Sequence, residues 1–519
     1  MNYAPSLLLA IAWSAACLTS CKPAPRPAEH LPADEPTSTA EVTLPDIADP
    51  ARSVVRINAT LQSWNPWQPW EKDAPSQRRA LGAIVAPHTV LTTAELAAGA
   101  IFLEFESIDG ARFAPAKTIA IDYEANLALL TTQELDASDA FFAETTPFTL
   151  ATPPRIGDAL SLVQVEANGS VLQTSGKLQS VDVTSTLVPG GGFLTYMVKA
   201  SMQNAASSYS LPVLRDGRLA GMLFTYNSKD QICDVGSTEI LSRFVTAALN
   251  GPWLGFPSLG ISIVGTEDPS LRQWLKLSED HGGIYIRHVR KGSAAEAGGL
   301  LKGDILLAID GIAIDRRGYC KHPDYDHLFW GHWIRGEKST GDSANLSLWR
   351  DGAPIEKTVT LTRENEDTRI VPLHYYDDAP NYLVKGGLVF QELSLPILQS
   401  FGEDWQSRAP LELLSAYESP EIHEGKVERI VFLSGVIPTP ATVGYEPLRS
   451  LVVDQVNGRP IPNLAALVQA FDENTSLLHS IRFSSENLTV HLDESISGPI
   501  DEQLLERGIR KLSRTDGKP

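Results

Sequence analysis

Cysteine is scarce in this chain. Only four of its 519 residues are cysteine, and Cys17 and Cys21 lie within the first twenty-one positions. Cys233 and Cys320 remain for the body of the chain, too few for a disulfide-built scaffold. They fall in different candidate domains; a cross-domain disulfide stays open, with two buried free thiols the favoured reading. Basic residues are also short: 43 Lys and Arg face 63 Asp and Glu, for a net charge of −20. That balance excludes nucleic acid as the expected partner, because phosphate binding needs a basic face. Histidine is nearly missing from the first half, where His88 is the sole one between residues 51 and 250. Beyond Ser6–Leu18, no segment resembles a membrane span, and that run is shorter than the roughly 20 residues a span needs.

The short run reads as the apolar region of a signal peptide. It ends in Leu18-Thr19-Ser20-Cys21, which resembles the bacterial lipobox, where small residues precede a cysteine that is acylated on its thiol. Residues 1–21 are therefore expected to be a lipoprotein signal peptide, with Cys21 as the lipidation site; an ordinary secretory signal is the alternative. Two or three acyl chains anchor stably. The resemblance implies a place in a bacterial cell envelope, exposed to the periplasm, and Lys22 in place of Asp favours the outer membrane. Residues 22–50, rich in Pro and Ala, read as a disordered tether.

Short β-like runs follow from residue 51 to 250: Val54–Ile57, Leu81–Val85, Ile101–Phe105, Leu160–Val165, Thr195–Val198 and Leu219–Phe224. Regular short strands with Gly, Pro, Asn and Asp between them imply a sandwich or barrel. Three local patterns carry more. Gly82-Ala83-Ile84-Val85 leads to Val90-Leu91-Thr92-Thr93-Ala94-Glu95-Leu96. Asp122-Tyr123-Glu124-Ala125-Asn126-Leu127-Ala128-Leu129-Leu130 is the second. Ser207-Ser208-Tyr209-Ser210-Leu211-Pro212-Val213, then Asp216-Gly217-Arg218-Leu219-Ala220-Gly221, is the third. In order and spacing they resemble the catalytic blocks of the HtrA/Deg family of serine proteases, which implies a trypsin-like double β-barrel.

Placed on that family's pattern, Glu95 stands for the general-base His, Asn126 for the orienting Asp and Tyr209 for the nucleophilic Ser. The chemistry requires an imidazole to take the serine proton and pass it to the leaving amine. Ser207 and Ser210 replace glycines that let the backbone turn toward an oxyanion. No catalytic residue is therefore expected. A slipped register that promotes Ser208 or Ser210 meets the lack of histidine, since His88 sits in a turn before the base position. A Ser–Lys dyad through Lys177 or Lys199 has no spacing in its favour.

Residues 255–363 resemble a PDZ domain. Pro257-Ser258-Leu259-Gly260-Ile261 is similar to its carboxylate-binding loop, and Gly292–Leu300 with Lys302–Gly311 continues the match. By that resemblance Ser258, Leu259, Gly260 and Ile261 take a peptide C-terminus by β-augmentation. A helix over Tyr325–Ile334 is expected to oppose the peptide, with His327 and Leu328 nearest the groove. Residues 382–495 resemble the second, divergent PDZ module of plant-type Deg proteases, which often binds internally. Its Gly387-Leu388 is a poorer carboxylate loop. Ile500–Leu512 reads as an amphipathic helix within a C-terminal segment, 498–519, packed on a neighbouring domain. Cys320, His322, His327 and His332 offer ligand types for a metal, but no tight spacing supports one, so no metal and no cofactor are expected.

The fold class expected is mainly β: a trypsin-like double barrel, then two PDZ-like α+β domains. The function expected is a membrane-anchored pseudoprotease that binds protein C-termini or unfolded polypeptides as a scaffold or chaperone-like partner. The alternative is an active endopeptidase of envelope quality control. Family resemblance also implies a homo-oligomer, a trimer by preference.

Overall fold

The strand Leu127–Thr132 opens with four apolar residues in a row because its two faces are both buried. Ala128 and Leu130 point into one core, while Leu127 and Leu129 point into another. Ala80 and Ile84 of Ser76–Ala86 make the same split against Leu81 and Ala83. These strands are the shared wall of two barrels, which is how period-2 patterning becomes a continuous apolar run.

The computed structural model describes residues 49–202, 210–376, 378–485 and 488–517. The expected signal peptide, Cys21, nearly all of the tether, Ser207, Ser208 and Tyr209 lie outside the described residues. Strands Val54–Leu61 (β1), Ser76–Ala86 (β2), Thr89–Thr92 (β3), Ala100–Glu106 (β4), Phe113–Asp122 (β5) and Leu127–Thr132 (β6) close into a barrel in the order β1-β2-β3-β6-β5-β4. Strands Ala159–Val165 (β7), Val171–Thr184 (β8), Phe193–Lys199 (β9), Pro212–Arg215 (β10), Arg218–Asn227 (β11) and Ile232–Gly236 (β12) close a second one, β10-β11-β12-β9-β8-β7. Each β-run read from the sequence lies in one of these strands. Gly82 is required in β2 by close approach, since a Cβ there would lie 2.3 Å from Val90 Cγ1 and 2.8 Å from Ile57 Cδ1. The helix Thr238–Asn250 ends this part, with Ser237 as its cap, and buries Ile240, Leu241 and Phe244 in the second core.

A third sheet follows, with strands Ile261–Val264 (β13), Ile284–Val289 (β14), Ile305–Ile309 (β15), Ser343–Arg350 (β19) and Ala353–Thr360 (β20) in that order and Ile312–Ala313 (β16) beside β15. Tyr319–His322 (β17) and Asp326–Phe329 (β18) form a separate hairpin. The helix expected over Tyr325–Ile334 is therefore absent; β18 and a single turn, His332–Arg335, take its place. Asp326 carries a φ of 63°, a turn conformation that a helix cannot contain. Tyr325 and Leu328 do repeat at helical spacing, but they are buried in the core of the second barrel, whereas Ile334, Trp330 and Trp333 pack in the core of the third sheet.

The last sheet contains Tyr382–Lys385 (β21), Leu388–Glu392 (β22), Val431–Val436 (β23), Leu451–Val456 (β24), Arg459–Pro460 (β25), Leu478–Phe483 (β26), Thr489–Asp493 (β27) and Ser513–Arg514 (β28). The expected C-terminal helix starts and ends earlier than read, at Glu494–Glu506. Its Ile500 and Leu504 pack on Tyr382, Val384 and Val389 of this same sheet, and β28 then pairs with β21. Cys233 and Cys320 are buried and unpaired, so no disulfide joins the domains. Burial pushes each thiol up to about 12, which keeps it protonated and inert. No helix among the described residues is long and apolar enough to cross a membrane.

Candidate functional site

Glu95 and Asn126, two of the three positions read from the sequence, meet. Glu95 sits in a short helix, Ala94–Ala97, directly after β3. Asn126 occupies the turn between β5 and β6 with a φ of 55°, a conformation Asn tolerates better than most side chains. Its carboxamide oxygen accepts the backbone N–H of Glu95 at 2.9 Å. Asn126 therefore holds a main chain and has no ring to orient. The Glu95 carboxylate turns outward and pairs with Arg78 at 2.7 Å, a half-exposed pair of little energetic weight.

Ser210 is fully buried. Its Oγ lies 2.7 Å from Thr92 Oγ1, accepts the Thr93 N–H at 3.2 Å and reaches Leu81 O at 3.3 Å. Those contacts tie Ser210, two residues before β10, to the end of β3 across the barrel interface. Its φ of 52° marks the backbone bend for which the family pattern has glycine. His88 stands in the β2–β3 turn, at the opposite end of β3, 3.1 Å from Asp139 and against Phe142. It offers no base to this site. Lys199 donates to the carbonyl of Asp230, within its own barrel. Among the described residues, Asn126, Glu95 and Ser210 thus present an amide, an ion pair and a buried hydroxyl.

The same place is covered. Ala94, Tyr123 and Val188 of the barrels share one core with Ile370, Val371 and Leu373 of the inter-domain segment and with Leu393, Leu395, Ile397 and Leu398 beyond it. Tyr123 packs against His374 and Tyr376 with ring centroids 4.9 and 4.7 Å away. A cleft of about 550 Å³ remains beside Glu95 and Arg78, walled by Trp64, Leu187, Tyr375, Tyr376 and Leu395.

Beside Asn126 lies a buried polar cluster. Asp122 accepts the Ala125 N–H at 2.8 Å and Trp253 Nε1–H at 2.9 Å, yet burial and the nearby Glu124 carboxylate raise it above the usual range. Glu124 pairs with Arg335 at 2.6 Å. Burial pulls Glu124 up, but the guanidinium and its hydrogen bond win and hold it below the ordinary carboxylate range. Arg335 also lies over the Phe193 ring at 5.2 Å. This pair, with Tyr325 Oη donating to Pro154 O at 3.1 Å and Glu239 at 2.9 Å, docks the third sheet on the barrels.

The candidate peptide loop is well formed. Gly260 N–H donates to Ser258 Oγ at 3.1 Å, Gly260 O accepts Arg290 N–H at 2.9 Å, and Leu259 O accepts Ala295 N–H at 2.9 Å. Gly260 has a φ of 73° and a Cβ there would lie 2.3 Å from Ser293 Cβ, so only glycine fits. Leu259 is buried in the sheet's core, whereas Ile261 and Ile263 are half-buried. Ile261 begins β13, which among the described residues pairs with β14 alone and so presents a free edge. His327 and Leu328 do not stand opposite it in a helix. His327 is exposed on the hairpin, and Leu328 is buried against the second barrel. In the last sheet, Gly386 N–H is taken by Asp501 and Lys385 pairs with Glu494 and Asp501, so its loop is filled by the chain's own C-terminal helix.

Sequence reasoning missed the segment Trp64-Asn65-Pro66-Trp67-Gln68-Pro69-Trp70. Trp67 packs edge-on to Phe401 at 5.4 Å and Trp70 on Tyr382 at 6.0 Å. Gln391 Nε2 donates to Pro66 O at 3.0 Å, and Arg514 spans from Pro69 O to the Trp64 ring. Three tryptophans in seven residues are the signal: so much apolar area in a loop must be covered.

Residues 257–317 and 371–507 each match the PDZ domain family. The chain is similar to protease Do-like 2, chloroplastic, of Arabidopsis thaliana, 25% identical over 426 residues, 81% of this chain and 68% of that one. It is similar to the mitochondrial protease Do-like 4 of the same plant at 26% over 458 residues, 88% and 83% of the two chains. Among solved structures, the HtrA-type protease AlgW with a decapeptide superposes with a TM-score of 0.45 at 18% identity, covering 61% of this chain and 97% of that one. With two closed barrels followed by two PDZ domains, and similarity to Do-like proteases across most of its length, this chain resembles the HtrA/Deg proteases.

Proposed function

We propose that this chain is a pseudoprotease: a non-catalytic protein that binds polypeptide C-termini through its first PDZ domain. The observation that carries this reading is the pairing at the base position. Glu95 is committed to Arg78, and Asn126 to the Glu95 backbone. A serine protease needs a neutral imidazole there, within reach of its hydroxyl. The core formed over Ala94 and Tyr123 by residues 370–373 supports it further, because a substrate would have to displace that packing.

Binding is assigned to the free β13 edge and the Ser258–Ile261 loop. A bound tail adds as a strand beside Ile261–Val264 and presents its carboxylate to the loop. Lys291 lines the space next to the loop, beside the ion pair of Arg290 with Glu364. Attachment to a membrane through Cys21, a place in a bacterial envelope and assembly as a trimer belong to the same proposal, supported by the Leu18–Cys21 pattern and by family resemblance.

Fluorescence anisotropy with a labelled peptide ending in a free apolar residue tests the binding. We expect saturable binding that falls at least about tenfold (about 1.4 kcal/mol) when the peptide is C-terminally amidated, and again in Gly260→Ala, whose methyl collides with Ser293. Equal affinity for the free and amidated peptides would contradict capture of a C-terminal carboxylate.

A further inference from the structure

We propose that His322, His332 and Glu337 form a Zn²⁺ site, which staples the β17–β18 hairpin to the turn His332–Arg335. Each offers one ligand atom, and these atoms all lie within 4.8 Å of one another. His332 Nε2 and Glu337 Oε1 are 3.4 Å apart, close to the roughly 3.3 Å that separates two ligands on a tetrahedral zinc with bonds of about 2.0–2.1 Å. Two imidazoles and one carboxylate suit zinc better than calcium or magnesium, which prefer oxygen alone. The fourth position is left for water.

The state of His332 gives an independent reason. Its side chain is 1% exposed, and its Nδ1 is buried without a hydrogen-bond partner. Its Nε2 faces Glu337 at a distance longer than a good hydrogen bond. A buried imidazole nitrogen without a good partner is costly, and a cation between His332 and Glu337 supplies one to Nε2. His322 is stacked on Tyr325 at 5.1 Å and lies 5.4 Å from Trp333, so its ring is already fixed. Two contacts compete. Asp324 N–H donates to His322 Nδ1 at 3.2 Å, and Arg243 lies 3.9 Å from Glu337 Oε2. The first leaves His322 Nε2 to serve as ligand, and the second leaves Oε1 free. Chain spacing hides the site, because it joins a strand end, a helical turn and the second residue beyond it. Cys320 faces the core and His327 the solvent, so neither contributes.

Position gives the site its role. Tyr325 and Leu328 of the hairpin are buried against the second barrel, and Arg335, one helical turn from His332, pairs with Glu124. An ion here locks both docking elements together. The proposal does not depend on whether the chain cleaves peptides.

The test uses the full chain without a histidine tag, stripped with chelator. After Zn²⁺ loading and dialysis, elemental analysis is expected to find one equivalent per chain. Co²⁺ in its place is expected to give the intense visible absorption of four-coordinate cobalt. Competition with a chromophoric chelator should show affinity at least about tenfold weaker in His322→Gln and in Glu337→Gln, two partly exposed positions where the fold tolerates change. Absence of stoichiometric metal in the parent chain, or unchanged affinity in both variants, would overturn the proposal.

Discussion

Arg335→Ala is expected to destabilise the protein by about 3–5 kcal/mol, because it strands a buried carboxylate. Arg335 and Glu124 are both largely buried and 2.6 Å apart, and Asp122 adds a second carboxylate nearby. Losing the guanidinium leaves two acids in one dry pocket with only the more distant Arg363 and Arg369 to offset them. The pH dependence has a definite sign. Glu124 is held below its ordinary range in the folded chain, so the stability it contributes is present above the unfolded value of about 4.3. That stability is lost as pH falls through the depressed folded value. Denaturant unfolding of Arg335→Ala and the parent should therefore differ most at neutral pH and converge in acid, where Glu124 is protonated in both. A gap that stays constant from neutral pH to acid would show that Arg335 acts by packing on Phe193 alone.

Tyr123→Ala is the second large effect, about 3–5 kcal/mol by analogy with other buried aromatic truncations. Tyr123 is the barrel's main contribution to the aromatic stack with His374 and Tyr376, so the loss should be felt first in the segment that covers the triad positions. Hydrogen exchange at residues 370–376 is expected to quicken, while amides of β9, β11 and β12 in the second barrel keep their protection. Rapid exchange of 370–376 in the parent chain would contradict the covering described above.

The barrels were legible in the sequence because their walls impose period-2 burial on both sides, as in Leu127-Ala128-Leu129-Leu130. Motif spacing alone brought Glu95 and Asn126 into one reading, and the Asn126 carboxamide does accept the Glu95 N–H. What remained hidden depends on contacts between domains. Tyr325 and Leu328 repeat at a helical period, yet each belongs to a hairpin packed on another domain's core. The pairing of Ser513–Arg514 with β21 and the docking of Trp67 on Phe401 join residues hundreds of positions apart. Nothing local encodes which edge or which ring receives them. His322 and His332 were read as ligand types but Glu337 was not, because a histidine at the end of a strand meets its partners only after the hairpin folds.

The central claim, that this chain, similar to HtrA/Deg proteases, does no peptide hydrolysis, is tested most directly by adding an unfolded protein substrate and a fluorophosphonate serine probe to the purified full chain. The account expects neither cleavage products nor covalent labelling, under conditions where C-terminal peptides bind. Labelling and cleavage that disappear together in Ser208→Ala would contradict it, and would mean that the chain is a protease with its proton relay assembled from other residues.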